Sequence, residues 1–296
     1  MPKSESDILK KIRNKELRRK IYAQIQNDKT KERLTLRKER AKEEQAHPEL
    51  KTKRLEENVP DTIESKRVYD ETVNAEIEGE DDFDEYFKDL EKEPKILITT
   101  SAHAHKEAYE FAAMLIEIFP NCTFVKRKRQ YSMKEMAGYC SNREFTHLIV
   151  INEDKKVVNG MTIMHLPKGP TFYFSIGSLV QRKQISGHGR PTDHIPELIL
   201  NNFTTRLGKT VSRLFQSLLP HKPEFKGRQV ITLHNQRDFI FFRMHRYVFK
   251  DNERVGLQEL GPEFTLRLRR IQNGIKEEVD WEFRPDMDRD KKKFYL

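Results

Sequence analysis

The sequence contains few of the residues that disulfides, zinc sites and membrane spans require. Its 296 residues include two cysteines and one tryptophan. Cys122 and Cys140 are too few for a disulfide framework or a four-ligand zinc site, and the expected state of both is a core thiol. No apolar run is long enough to span a bilayer, and the first residues lack the pattern of a signal peptide. We therefore expect a soluble intracellular protein with no membrane partner.

Signatures of catalysis are also missing. The stretch Gly187-His188-Gly189 lacks the lysine and the glycine spacing of a phosphate-binding loop, and no G-x-S-x-G motif occurs. His103 and His105 have the spacing of a metal pair on a strand, but no cysteine or carboxylate triplet accompanies them, so a solvated loop is the better interpretation. The sequence therefore predicts a protein that is not an enzyme and that holds no metal and no cofactor.

Charge is abundant and unevenly distributed. Charged residues make up 35% of the chain, and the formal net charge is +9. Residues 1–59 carry 18 Lys/Arg and 11 Asp/Glu, residues 60–94 carry 4 and 14, and residues 95–296 carry 34 and 22. The basic excess predicts a polyanionic partner, because cationic side chains release counterions when they neutralise phosphates. The three regions predict a basic helical extension, an acidic linker and a basic domain.

The basic extension is expected to be one long helix. Residues 6–57 contain no glycine and a single proline, Pro48. Their apolar residues are four or five positions apart, which indicates a thin apolar stripe. Such a stripe cannot build a core, so the helix either orders against an external surface or remains a solvated tail. The stripe consists of Ile8, Ile12, Leu17, Ile21 and Ile25.

The acidic segment and the C-terminal tail both contain aromatic residues. Phe83, Tyr86 and Phe87 lie in a run of carboxylates. This segment is either a linker that docks on a basic partner, a segment that folds back on its own domain, or a solvated spacer. The tail, residues 276–296, is aromatic but short, and we expect it to order only against a partner surface.

Residues 95–275 are predicted to form an α/β domain of two similar halves, at about 95–180 and 195–275. Each half contains a strand, then a helix that ends at a proline, and later a Gly-Pro pair before its last strand. This repeated order indicates an internal duplication. We predict strands at residues 96–100, 122–125, 147–152, 161–166, 171–176, 198–203, 228–233, 239–249 and 264–271, and helices at 106–119, 132–140 and 207–219.

Successive residues of the predicted strand 239–249 fall alternately on two faces, and the two faces differ in composition. Ile240, Phe242, Met244 and Val248 belong to one face, which we expect in the core. The other face is an aromatic-basic strip of Phe241, Arg243, His245, Tyr247 and Phe249. Such a strip can stack on bases or pair with phosphates. The alternative is that its aromatics pack under a helix while the arginine reaches solvent.

Basic residues of this half are the candidate RNA-binding site, with contacts mainly to phosphate. Three of them lie at a predicted helix, where two are four residues apart on one face and the helix N-terminus also favours phosphate. The others lie in or next to predicted strands. A solvated basic face is the usual alternative for such groups. The candidates are Arg206, Lys209, Arg213, Arg228, Arg237, Arg243, His245, Arg267 and Arg269.

The domain resembles the Brix domain family of ribosome assembly factors. The resemblance rests on residues 96–101, 169–172, 196–208, 230–242 and 257–268. It implies two α/β halves, each similar to an anticodon-binding domain, and a location in the nucleus and nucleolus. It also implies that the partners are precursor ribosomal RNA, a dedicated Brix-binding protein, other assembly factors and ribosomal proteins.

The tail, at residues 278–287 and 293–296, and the segment 201–208 are similar to those of the family member that acts on the large-subunit precursor. The member of the small-subunit processome is the alternative. A third possibility stays open, in which the chain is chiefly a protein–protein scaffold whose basic charge serves an acidic partner.

Overall fold

The computed structural model describes residues 12–58, 62, 65, 83–88, 93–250, 254–275, 280–283 and 296. The chain divides into two compact units, one up to residue 66 and one from residue 67 onward.

The N-terminal unit contains two helices, α1 (Lys15–Ala46) and α2 (Pro48–Glu57). The predicted long N-terminal helix is confirmed in α1, but it does not continue to residue 57, because α1 ends at Ala46 and Pro48 opens α2. Proline has no amide hydrogen to donate and its ring clashes with the preceding turn, so it is tolerated at the start of a helix and not inside one.

The apolar stripe of α1 does not build a core. None of the side chains of this helix is buried, and Leu17 is 50% exposed. Ile8 lies outside the described residues. Arg54 on α2 forms an ion pair of 2.5 Å with Glu44 on α1, which links the two helices by charge.

The second unit is built on one sheet that includes every strand of the described residues. Its order is β2-β1-β3-β4-β5-β10-β8-β7-β6, with β11 paired to β10 and β9 paired to β8. The strands are β1 (Ile96–Thr100), β2 (Cys122–Phe124), β3 (His147–Asp154), β4 (Val157–His165), β5 (Thr171–Val180), β6 (Glu197–Asn201), β7 (Gln229–Gln236), β8 (Phe239–Phe249), β9 (Val255–Glu259), β10 (Glu263–Asn273) and β11 (Asp280–Phe283). The helices are α3 (Asp84–Lys88), α4 (Lys106–Ile118), α5 (Met133–Ser141) and α6 (Arg206–Ser217).

The two halves of the sheet have the same strand arrangement. In the first half β1 is parallel to β3, and β4 and β5 follow antiparallel. In the second half β6 is parallel to β7, and β8 and β10 follow antiparallel. The halves join where β5 pairs with β10. Gly169-Pro170 precedes β5, Gly261-Pro262 precedes β10, and both peptide bonds are cis. The predicted α/β class with two similar halves is confirmed.

Helices cover the two faces of the sheet unequally. α4 and α6 contribute Phe111, Leu115, Leu214 and Phe215 to one large core on the first face. On the opposite face α5 packs only on strands of the first half, and it begins with a capping box between Ser132 and Glu135. No helix among the described residues of this unit covers the second half of that face.

Three details of the strands differ from the sequence predictions. Residues 264–271 were predicted to be the last strand, but β11 follows, and β9 was not predicted at all. Both are four or five residues long with two apolar positions, which is too short to show a period of two. Val248 was assigned to the core but is 44% exposed, because at this position β8 pairs only with the short strand β9.

The acidic segment folds back on its own domain at residues 83–88. Phe83 is fully buried and Tyr86 is 8% exposed, although the composition places the start of the domain near Lys95. The Tyr86 hydroxyl donates a hydrogen bond of 3.2 Å to the carbonyl of Ser217. The fold-back interpretation is therefore the correct one of the three alternatives for this part of the segment.

The C-terminal tail also contributes to the domain. Leu296 is 3% exposed and belongs to the large core. Its amide donates a hydrogen bond of 3.0 Å to Asp238 Oδ1, and β11 extends the sheet. The prediction that the tail orders only against a partner is wrong for these residues, because a single terminal leucine gives no pattern that sequence reasoning can use.

Candidate nucleic-acid interface

The side of the sheet opposite α4 and α6 is not covered by any described helix of this unit along the second half and the adjoining strand β5, and it is here called the open face. On β8 the side chains of Ile240, Phe242 and Met244 are buried in the large core, and the residues between them therefore lie on the opposite side. Cross-strand pairing carries this alternation to the neighbouring strands. The open face includes Tyr173, Ser175, Ile199, Val230, Thr232, His234, Phe239, Phe241, Arg243, His245, Thr265, Arg267, Arg269 and Arg270, together with the carboxylates Glu197, Glu259 and Glu263.

Three exposed arginines of β10 lie on the open face. The pairing of β10 with β5 shifts register between Leu268 and Arg270. This bulge interrupts the alternation and places Arg269 and Arg270 on the same side. Positive charge is therefore concentrated along one strand in the middle of the sheet.

Each of these arginines contacts a neighbour on the open face. The Arg267 guanidinium lies 5.0 Å from the centre of the Phe239 ring, and that of Arg270 lies 4.0 Å from the centre of the Tyr173 ring. Arg269 Nε donates a hydrogen bond of 2.9 Å to Ser175 Oγ. Among the described residues no carboxylate is within salt-bridge distance of Arg267 or Arg269, so their charges are available to an anion.

Arg243 and His245 share the open face but are weaker cation candidates. Arg243 forms ion pairs of 3.1 Å with Glu263 and 3.7 Å with Glu259. Burial lowers the pKa of His245, and the charge of Arg243 lowers it further, while Glu263 opposes them. A neutral imidazole can stack on a base but does not neutralise a phosphate.

The candidates on α6 lie on the other side of the sheet. α6 begins at Arg206, and the Thr205 hydroxyl caps it by accepting a hydrogen bond of 2.9 Å from the Gly208 amide. Arg213 forms an ion pair with Asp84 of the acidic segment. Lys209 is half-buried on the same helix. These three residues form a group separate from the open face.

Arg228 and Arg237 lie at the two ends of β7. Arg228 directly precedes the strand and Arg237 directly follows it, and both are exposed with φ values of 50° and 57°. The nine candidates therefore divide into the open face, the α6 group and these two strand ends. On the open face, Arg267 and Arg269 have no carboxylate within salt-bridge distance among the described residues, and the Phe239 ring lies beside Arg267.

The sequence patterns did not indicate Arg270, Tyr173 and Phe239 as members of the candidate site. Strict alternation along β10 assigns Arg270 to the core side, and only the bulge reverses this. Tyr173 is brought to β10 by a pairing between the two halves, which no local pattern reveals. Phe239 was inside the predicted strand, and its position over Arg267 follows from their direct pairing.

An apolar patch lies at the outer end of the same sheet. Phe249 is 68% exposed and pairs with Val255, which is 51% exposed. Leu257, opposite Tyr247, is 64% exposed. These four residues are called the hairpin patch. Exposed apolar clusters of this kind are typical of protein–protein contacts.

Groups suited to metal binding or nucleophilic chemistry are scarce in the described part of the chain. It has no cluster of three His, Cys, Asp or Glu residues that could hold a metal ion. His105 pairs with Glu153 at 2.5 Å, while His103 contacts Arg129. Burial raises the pKa of the Cys122 thiol to about 12, which disfavours the reactive thiolate. No described helix has the length and apolar character needed to cross a membrane.

The duplicated sheet agrees with the result of sequence comparison. The Brix domain profile matches residues 101–270, which is more than half of the chain. The chain therefore belongs to the Brix domain family, as the motifs indicated.

The chain is also similar to individual proteins of known sequence or structure. The chain is 64% identical over 287 residues to Ribosome production factor 1 of Saccharomyces cerevisiae, covering 96% of this chain and 97% of the relative. It is 45% identical over 301 residues to Ribosome production factor 1 of Pongo abelii, with coverages of 97% and 85%. The crystal structure of a probable ribosomal biogenesis protein from Aeropyrum pernix K1 matches with a TM-score of 0.45 and 15% identity, covering 63% of this chain and 98% of that one. The sequence relatives support a role in ribosome biogenesis.

Proposed function

We propose that this protein is a non-catalytic assembly factor that binds precursor ribosomal RNA during large-subunit maturation in the nucleolus. The observation that carries the RNA-binding part is the set of exposed arginines on the open face. The large-subunit assignment rests on the similarity to ribosome production factors and on the tail, and the small-subunit processome remains the alternative. Precursor ribosomal RNA, ribosomal proteins and other assembly factors are the proposed partners.

The chemistry of the open face suits a polyanion. Arg267 and Arg269 have no carboxylate partner among the described residues, so binding a phosphate breaks no ion pair. Guanidinium groups also match phosphate geometry with two parallel donors. The α6 group is a weaker proposal, because Arg213 must first leave Asp84.

The salt dependence of RNA affinity tests this function. We expect the full chain to bind a fragment of precursor ribosomal RNA with log affinity falling linearly with log salt. Each lost phosphate contact reduces the slope by about 0.7–0.9. The variant R267Q/R269Q should therefore lose roughly 1.4–1.8 from the slope.

The control variant K155Q/K156Q removes the same charge from the turn between β3 and β4, outside the open face. It should bind RNA with nearly the slope of the wild-type protein. An unchanged slope in R267Q/R269Q would remove the open face from the RNA-binding site.

A protein partner is a second function, favoured by the hairpin patch. We propose that the dedicated partner of this Brix domain contacts Phe249 and Leu257, whose exposure is costly in water. Partner binding that survives ribonuclease and high salt, and that is lost in F249D/L257D, would support this. Binding that disappears with ribonuclease would show that RNA bridges the two proteins.

The absence of catalysis is also a proposal. Purified protein should show no nuclease, NTPase or methyltransferase turnover, because its sequence has no P-loop and no nucleophile signature. Turnover that one point mutation abolishes would overturn it.

A further inference from the structure

The first half of the domain has its own concentration of positive charge, outside the open face. Residues 118–134 contain five lysines and arginines and no aspartate or glutamate. Four of these cations are consecutive, from Lys126 to Arg129, and they lie between β2 and α5. The segment that joins these two elements, residues 125–132, is here called the basic loop.

Hydrogen bonds hold both ends of the basic loop. The Val125 amide donates a hydrogen bond of 3.0 Å to the carbonyl of Ile98 on β1. At the other end Ser132 caps α5, and its amide donates a hydrogen bond of 2.8 Å to the Glu135 carboxylate. This carboxylate is engaged in the capping box and does not pair with the cations of the loop. The loop therefore presents its charges from a fixed position on the domain.

The cations of the basic loop lack an acidic partner among the described residues. No described carboxylate is within salt-bridge distance of Lys126, Lys128 or Arg129, and all three are exposed. Arg129 Nη2 lies 3.0 Å from Nδ1 of His103. Arg127 is half-buried, and its Nε has no hydrogen-bond partner in the described part of the chain. Because like charges this close in sequence repel one another, an anion that neutralises them is bound favourably.

Aromatic rings adjoin the same loop. Tyr131 belongs to it, and its ring meets the Tyr139 ring of α5 edge-on, with 5.7 Å between the ring centres. Tyr139 is 51% exposed. Cations next to exposed aromatic rings are typical of surfaces that bind single-stranded nucleic acid, whereas an acidic peptide has no bases to place against such rings. The composition of this surface therefore favours RNA over an acidic protein.

We propose that the basic loop is a second RNA-binding site of this protein, in which Lys126, Lys128 and Arg129 contact phosphates. The proposal rests on the RNA-binding function and adds a contact in the first half of the sheet. Five strand spacings of about 4.8 Å separate β2 from β10 in the strand order, or roughly 24 Å along the sheet. The basic loop and the open face therefore contact different parts of the RNA, and their contributions to affinity should add.

The salt dependence of binding to a fragment of precursor ribosomal RNA, measured with the full chain, tests the proposal. Each phosphate contact contributes about 0.7–0.9 to the slope of log affinity against log salt, so the variant K126Q/K128Q should lose roughly 1.4–1.8. Combined with R267Q/R269Q it should lose roughly 2.8–3.6. The conservative variant K126R/K128R keeps both charges and should bind RNA like the wild-type protein.

The matched control is K155Q/K156Q, which removes two exposed lysines from the turn between β3 and β4. Glu153 and Asp154 directly precede these lysines and offset their charge, so the slope of this variant should stay near that of the wild-type protein. K126Q/K128Q should unfold at the wild-type Tm, because its lysines are exposed and form no ion pair with a described residue. A changed slope at an unchanged Tm then reports on RNA contact and not on folding.

The outcomes separate this proposal from the RNA-binding function. An unchanged slope in K126Q/K128Q, with the expected loss in R267Q/R269Q, would overturn the second site and leave RNA binding in place. Unchanged slopes in both variants would overturn both. An equal loss in K155Q/K156Q would show that only net charge matters, which overturns the site. If K126Q/K128Q binds RNA like the wild-type protein but no longer binds a polyglutamate probe, the basic loop serves an acidic protein and the proposal is wrong.

Discussion

Replacing Phe83 by alanine tests whether the acidic segment is part of the folded domain. Phe83 is fully buried, and its ring centre lies 5.0 Å from that of His165 and 6.2 Å from that of Phe172. Removing a buried phenylalanine side chain costs about 3–5 kcal/mol, from lost burial and from the cavity left behind. The total stability of a domain is about 5–15 kcal/mol. The variant should therefore lose a large part of its stability.

Equilibrium unfolding in urea measures this loss. A change of about 3–5 kcal/mol moves the midpoint by roughly 1 M or more when m is near 3 kcal/mol/M. Phe225→Ala is the control, because this ring is 65% exposed and exposed positions change stability by only about 0.5 kcal/mol. If F83A unfolds at the same urea concentration as the control, the segment is not packed in the core.

Limited trypsin digestion gives an independent readout of the same contact. The composition predicts a resistant fragment that starts near Lys95, whereas buried Phe83 and Tyr86 require a start upstream of residue 83. A resistant fragment from wild-type protein that begins at residue 89, 93 or 96, after cleavage at Lys88, Lys92 or Lys95, would refute the packing of Phe83.

Three further predictions concern pH, the C-terminus and the N-terminal helices. Burial and the neighbouring His165 hold the pKa of His147 well below its usual value, so the folded state binds fewer protons than the unfolded state below about pH 6.5. Stability should therefore fall as pH drops through that range, and less so in H147Q; identical pH profiles in urea unfolding would contradict this. Leu296→Ala should lower stability by about 2–5 kcal/mol, visible as a lower Tm, and an unchanged Tm would show that the terminus is not in the core. Amide hydrogens of residues 12–57 should exchange quickly in the free protein and slowly in the preribosomal particle, because α1 has no buried residue and ordering costs about 1–2 kcal/mol per residue. Strong protection in the free protein would mean that this helix is held without a partner.

Much of the fold was predictable because its signals are local. The α4 helix shows one apolar face and ends before Pro120, and α5 begins with a serine cap. The order of strand, helix, proline and Gly-Pro pair occurs twice and revealed the duplication. In contrast, the packing of Phe83 and Leu296 depends on contacts between distant parts of the chain, and an aromatic residue in an acidic run gives no sign of the core that receives it.

The candidate site was predictable in residue type but not in arrangement. Alternation on β8 correctly placed Arg243 and His245 opposite the core, yet it could not show that Glu263 and Glu259 pair with Arg243. Four-residue spacing on α6 grouped Lys209 and Arg213, while the ion pair of Arg213 with Asp84 arises from a segment 129 residues away. Long-range pairing and a bulge decide which cations are available.

A crosslinking map of the protein on precursor ribosomal RNA, made in purified preribosomal particles, tests the central claim most directly. Ultraviolet crosslinking followed by mass spectrometry identifies the peptides that touch RNA. The open face predicts crosslinked peptides from β10, with Arg267 to Arg270, and from the Phe239 end of β8. Crosslinks confined to α1 or α6, with none from β10, would contradict the assignment of the open face as the RNA-binding surface.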